Sequence, residues 1–135
     1  MNHLVEIRSL NLKPGRREEF HRLYIEEALP LLKRWNFDVV AHGPSLHDEN
    51  MYYVIRRFDS LAQREQREDA YYGSDEWRQG PREAILALIE NCFAGILSLN
   101  WMRTLCRGCE DISVRKWGKW YNVRNSEFPI FWRKL

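Results

Sequence analysis

From His3 to Leu10 apolar and polar residues alternate, with Val5 and Ile7 on one face and Glu6 and Arg8 on the other, which is the period of a half-buried strand. Lys13-Pro14-Gly15 reads as a turn, and the period then changes. Phe20, Leu23, Tyr24, Ala28, Leu31, Leu32 and Trp35 recur at helical spacing as one apolar stripe, interrupted only by Glu27. Pro30 lies inside the stripe. It removes a backbone hydrogen bond at a cost of about 3 kcal/mol in an unbroken helix, so a kink or break is expected near Leu29. Asp38 to Ala41 is a short β-prone run that His42-Gly43-Pro44 should end or bend, and Ser45 to Asn50 is a polar connection. Met51 to Phe58, rich in aromatic and β-branched residues, is the second clear strand. Asp59 or Ser60 should cap a helix that begins at Leu61. Tyr71-Tyr72-Gly73 should interrupt it, and Ser74 should cap a short turn carrying Trp77. Pro81 suits the first position of a restarted helix, with Ile85, Leu88, Ile89 and Cys92 as its buried stripe, and Ala94 to Leu99 reads as the last strand.

The order is β-α-β-β-α-β, the ferredoxin-like arrangement: an α+β fold with a four-stranded antiparallel sheet and its helices on one face. Four short motifs sharpen this. They are Arg8 to Gly15 after the first strand, Glu27 to Leu31 in the first helix, Phe58 to Arg64 entering the second, and Asp75-Glu76-Trp77. Across about residues 3 to 100 the chain resembles the NIPSNAP family, within the wider group of dimeric α+β barrels. That group includes cofactor-free oxygenases, small-ring isomerases and haem enzymes, but the resemblance carries over no agreed catalytic residues. It implies a homodimer. The helix-free sheet face, expected to present Leu4, Glu6, Arg8, Leu10 and Tyr53, would pack against a second copy and form a barrel between subunits.

A chain of 135 residues suffices for one domain with a real core. Its longest nearly uncharged stretch, Cys92 to Met102, is far short of the ~20 residues that span a bilayer, so no membrane association is expected. The first residues lack the basic flank and apolar core of an export signal. A cytoplasmic location is therefore expected, with the three cysteines reduced. Charge divides the chain near Asn100. Residues 1 to 100 hold 13 Lys/Arg and 16 Asp/Glu, whereas 101 to 135 hold 8 and 3, together with seven aromatic residues. The reading is a domain over 1–100 and a basic, aromatic C-terminal extension over 101–135. The extension is expected either to lay its aromatics on the domain or a neighbouring subunit or to be no native continuation at all, for instance a frame-shifted end, and in either case not to be needed for the core.

Few residues point to chemistry. Cys106-Arg107-Gly108-Cys109 lacks the further Cys and His ligands that zinc requires, and it lacks the β-α context of a thiol-redox site, so no metal is expected there. His42 and His47 border one loop, and histidine is the residue type suited to general-base work near neutral pH. His42 is the better candidate, because a ligand can approach the backbone closely beside Gly43. Glu6 and Arg8 share a strand face, with Arg56 or Arg57 expected across from Glu6. A cross-strand ion pair inside the barrel is preferred there over a polar site for an anionic small molecule. Tyr24 and Trp77 lie on helical segments facing the sheet and suit either core packing or the wall of an aromatic cleft. The Met51–Phe58 strand lacks the Gly-aromatic pair of RNA-recognition sheets, and residues 1 to 100 are net acidic, so nucleic-acid recognition is not expected. The functional expectation is a small molecule bound between helices and sheet, with Tyr24, His42, Arg57 and Trp77 as its site and no cofactor. The enzymatic form would be a cofactor-free oxygenase or isomerase. The alternative is a non-catalytic dimeric scaffold or protein-interaction module. A cavity reaching Tyr24 or His42 separates the two.

Overall fold

Strand β1 (Leu4–Leu12) runs through the middle of the sheet, antiparallel to β3 (Met51–Phe58) on one side and to β4 (Ile89–Ser98) on the other, while β2 (Asp38–Pro44) pairs with the far edge of β3. The sheet order is β2-β3-β1-β4, which is the ferredoxin-like topology with all neighbours antiparallel. The computed structural model describes residues 3–98. The proposed C-terminal extension and the Cys106/Cys109 pair lie outside the described residues.

The first crossover begins at a Lys13-Pro14-Gly15 turn, with Gly15 at φ 73° and the Arg16 amide donating to the Lys13 carbonyl. This is a geometry that proline and glycine favour in succession. Helix α1 (Arg17–Leu23) passes into a π-helical turn, Tyr24–Ala28, and continues as α2 (Leu29–Arg34). The break expected near Leu29 does not occur. The turn before Pro30 widens instead: the Leu29 amide reaches back five residues to the Tyr24 carbonyl, which relieves the clash a proline ring makes with the preceding turn. Helix α2 ends in a Schellman motif, with Phe37 N–H bonded to the Leu32 carbonyl, Asn36 N–H to the Lys33 carbonyl, and Asn36 at φ 59°.

Strand β2 runs through His42 and Gly43 to Pro44 rather than ending before them. It is an edge strand, where a proline without an N–H is tolerated, and the register shifts between Val39 and Ala41. Helix α3 (Leu61–Gly73) starts where expected. The Ser60 side chain accepts from the Gln63 amide at 3.1 Å, and the Gln63 side chain accepts from the Asp59 amide at 2.9 Å. It runs through Tyr71 and Tyr72 before ending at Gly73. Helices α4 (Asp75–Gln79) and α5 (Arg82–Leu88) follow, and Pro81 stands just before α5 rather than inside it. Ile89 and Cys92 belong to β4, which starts five residues earlier than the sequence suggested. Gly80 separates α4 from α5 for a steric reason, since a Cβ there would sit 2.3 Å from the Glu76 carbonyl oxygen. Gly80→Ala is therefore expected to destabilise the fold by about 1–3 kcal/mol in urea titrations, as overpacking does. An unchanged midpoint would mean the turn yields freely.

All helices pack on one sheet face. Leu10, Leu12, Tyr52, Val54 and Phe58 from the strands meet Phe20, Leu31, Phe37, Tyr71 and Ile85 from the helical side. This reverses one expectation. Leu4, Glu6, Arg8 and Leu10 face the helices, and Val5, Ile7, Ser9 and Asn11 face the open side, where Ile7 is opposite Ile55 and Gly95. Among the described residues nothing covers that face, and Ile7, Val40 and Leu97 are exposed on the described chain. The ring of Tyr53 lies over Gly43 there, 3.4 Å from where a Cβ would stand.

Candidate functional site

The helix-facing positions of β1 and β3 hold charges that are fully buried. Glu6 and Glu68 are 0% exposed, and Arg56 is 1% exposed. Glu6 lies directly opposite Arg56 in register. Its carboxylate accepts from Arg56 Nε at 2.6 Å, from Arg64 Nε at 2.9 Å and from Arg8 Nε at 3.2 Å. Glu68, one helical turn after Arg64, closes the cluster by pairing with Arg8, Arg56 and Arg64. Burial alone would raise the Glu6 pKa, but the three guanidiniums outweigh it and hold the carboxyl well below the usual range. Arg8 spends its remaining Nη1 on the Tyr72 hydroxyl, at 2.9 Å.

Tyr72 carries this cluster to the edge of a pocket. Helix α1, the π turn, the end of α3, α4 and β1 border a pocket of about 80 Å³ lined by Leu10, Phe20, Tyr24, Tyr71, Tyr72 and Trp77, with aliphatic side chains from the π turn, α2, α5 and β4 completing the wall. Ser74 positions the indole by capping α4, its side chain accepting from the Trp77 amide at 3.2 Å. Trp77 then packs against Tyr71 and Tyr72, with ring centroids at 5.3 and 5.6 Å. The widened turn presents Tyr24, whose ring stacks on Phe20. Tyr24 and Trp77 are each only 5% exposed, yet among the described residues the Tyr24 hydroxyl and the Trp77 Nε1 have no hydrogen-bond partner. Leaving a buried donor unmet costs about 1–3 kcal/mol, so two in one pocket call for an explanation. Burial pushes the Tyr24 phenol well above its ordinary range, so it is a neutral donor at physiological pH.

The four residues expected from the sequence separate here. Tyr24 and Trp77 come together at the pocket. His42 packs its ring against Tyr24 at 5.1 Å, but its Nδ1 is held by the Tyr52 hydroxyl at 3.0 Å, and His21 Nδ1 contacts the same oxygen at 2.8 Å. A phenol has one proton, so Tyr52 donates to one imidazole and accepts from the other. Burial, His21 and Lys33 lower the His42 pKa, and burial raises that of Tyr52 to about 12. Arg57 lies on the opposite face of the sheet, paired with Asp38 at 2.7 Å, and does not reach the pocket. The residue opposite Glu6 is Arg56. The Glu6–Arg56 cross-strand ion pair is the one expected, though it faces the helices rather than a barrel, whereas Tyr71, Tyr72 and the Arg64 and Glu68 members of the cluster are not read from the sequence. Their signal was the spacing of Arg64, Glu68 and Tyr71, which is that of a buried helical face occupied by charge. Among the described residues no group of three or more His, Cys, Asp or Glu is placed to hold a metal ion, and no helix is long and apolar enough to cross a membrane.

A four-stranded antiparallel sheet with helices on one face and an aromatic pocket between the layers defines a ferredoxin-like α+β domain. The NIPSNAP family model matches residues 5–97, and the chain belongs to that family. Solved structures agree. An uncharacterized NIPSNAP domain protein from Burkholderia xenovorans is 18% identical with a TM-score of 0.65, covering 70% of this chain and 91% of that one. Two NIPSNAP family proteins from Agrobacterium tumefaciens each have a TM-score of 0.66. One is 19% identical, covering 70% of this chain and 90% of its own, and the other is 24% identical, covering 71% and 86%. At these identities the likeness is one of fold. No curated protein matches the chain.

Proposed function

We propose that this chain binds a small molecule in the aromatic pocket between helices and sheet, and that it does so as a homodimer paired through its open sheet face. The observation that carries the binding reading is the pair of buried donors, Tyr24 O–H and Trp77 Nε1–H, left without partners in one pocket. A solid scaffold core has no reason to keep either, because phenylalanine would pack as well at position 24 without the unmet group. Small-molecule sites are mostly apolar with a few placed polar groups, and this lining fits that description. The catalytic forms, a cofactor-free oxygenase or isomerase, need a base beside the bound molecule. The pocket lining holds no carboxylate or imidazole side chain, and the His42 ring against Tyr24 has its Nδ1 engaged by Tyr52. Binding without an assigned turnover is the form we adopt.

The reading sets stability against function in a measurable way. Tyr24→Phe removes an unmet donor and is expected to leave the urea stability unchanged or to raise it by up to about 1 kcal/mol. The same variant should lose affinity for small fragments that move the Trp77 indole resonance of the parent. Destabilisation by more than about 1 kcal/mol would mean that the hydroxyl makes a structural hydrogen bond, and the site reading would fall.

A further inference from the structure

We propose that the pocket takes the oxyanion of a small organic acid, its carboxylate bridging the Tyr24 and Tyr72 hydroxyls and the Trp77 indole N–H. The inference rests on the binding reading above and adds the chemical class of the ligand. It starts from a census of the wall. Trp77 Nε1 is a donor only. It is unpartnered, and its residue is nine-tenths buried. Whatever satisfies it must bring an acceptor. Tyr24 O–H is equally unpartnered. Tyr72 differs, because its oxygen already accepts from Arg8 Nη1 at 2.9 Å, which leaves the hydroxyl proton to be donated elsewhere. The rest of the lining is aromatic or aliphatic, with no carboxylate or imidazole side chain. Three donor-bearing side chains therefore line a pocket whose side chains carry no negative charge.

Charge favours an anion over a neutral carbonyl. The Tyr72 hydroxyl is the outward end of a buried cluster in which three guanidiniums face two carboxylates. A hydroxyl that accepts from a guanidinium is polarised into a stronger donor, and hydrogen bonds to an ionised acceptor are roughly twice as strong as neutral ones. A carboxylate also has two oxygens and about four acceptor sites, enough for donors on different walls, whereas one carbonyl oxygen is not. Size limits the remainder of the ligand. At about 80 Å³ the pocket is near half the ~150 Å³ of a cavity that admits benzene, so only a very short acid, of the size of acetate, fits the space as it stands.

The test uses the full-length protein labelled with ¹⁵N, with the Trp77 indole cross-peak identified by its loss in Trp77→Phe. Sodium acetate is titrated against acetamide, its neutral isostere, at constant ionic strength. Acetate is expected to shift the Trp77 indole peak saturably and to bind about ten-fold more tightly than the amide, a difference of about 1.4 kcal/mol. Tyr72→Phe, which keeps the ring and cuts the link to Arg8, should erase that preference while changing amide affinity less than about two-fold. Equal or tighter binding of the amide would overturn the anion assignment and leave the small-molecule reading standing. If neither compound moves the indole peak, and a set of neutral fragments also fails, the binding reading itself falls and takes this inference with it.

Discussion

Glu6→Gln is expected to cost the fold about 3–5 kcal/mol at neutral pH, the penalty for breaking a buried ion pair by removing one partner. The side chain is fully buried and accepts from Arg8, Arg56 and Arg64. The amide can accept at only one of its two positions, and its NH₂ would point at guanidinium donors. A domain of this size is stable by about 5–15 kcal/mol, so the variant should sit near the edge of folding. The effect also carries a pH signature. The folded Glu6 pKa is depressed from its ordinary value near 4.5, so the stability it contributes is present above that value. It drains away as the pH falls from about 4.5 towards the lowered folded pKa, because the unfolded chain takes up the proton first. Glutamine has no such proton, so the gap between parent and variant should narrow as the pH falls below about 4.5. Urea titrations at several pH values check this. The exposed Arg57–Asp38 pair is the control: Arg57→Ala should cost under about 1 kcal/mol. A Glu6→Gln cost as small as the control's would show that the cluster is not held as described.

Ile55→Lys should turn the proposed dimer into a folded monomer. Ile55 is opposite Ile7 at the centre of the open sheet face, with Tyr53, Phe93 and Leu97 on the same side by alternation. Sheets that pair face to face bury such a surface at about 10 Å separation, and a stable interface buries more than ~1,000 Å². An ammonium at its centre would have to be desolvated without a counter-charge, at a cost of several kcal/mol. The dimer dissociation constant should then rise at least about 100-fold, since each 1.4 kcal/mol is a factor of ten. Sedimentation should give twice the chain mass for the parent at micromolar concentration and the single chain mass for the variant, with far-UV circular dichroism unchanged. A monomeric parent would remove the sheet-to-sheet pairing from the proposal. The parent measurement alone decides this even if the variant misfolds.

The two experiments concern opposite faces of one strand, and β1 also shows where sequence reading stopped. Its alternation established a strand with two unlike faces, but alternation has no sign. Val5 and Ile7 looked like the core side and Glu6 and Arg8 like the polar side, because buried charge is expensive. The structure reverses them. Arg56 from the paired strand and Arg64 and Glu68 from α3 supply the missing partners, and those lie 50 or more residues away in sequence from Glu6. The same blindness hid α3: Arg64, Glu68 and Tyr71 keep the spacing of a buried face, but hydropathy scores two of them as solvent-facing.

Local physics was legible throughout. The Pro-Gly turn, the Ser60 and Ser74 caps and the order of elements each depend on neighbours within a few residues, and one sequence supplies those. From that order came the ferredoxin-like class, and from the four short motifs laid on it the resemblance to the family. Tyr24 and Trp77 were legible as aromatics on the sheet-facing side of their helices. That their donors are unmet, and share one pocket, was not. Tyr24 reaches the pocket from a turn widened ahead of Pro30, Trp77 from a helix capped by Ser74, and Tyr72 from the end of α3, where Arg8 holds its hydroxyl. Sequence determined which residues each element offers. Only the tertiary structure decided which buried polar groups meet, because hydrogen-bond satisfaction is settled between elements rather than along the chain.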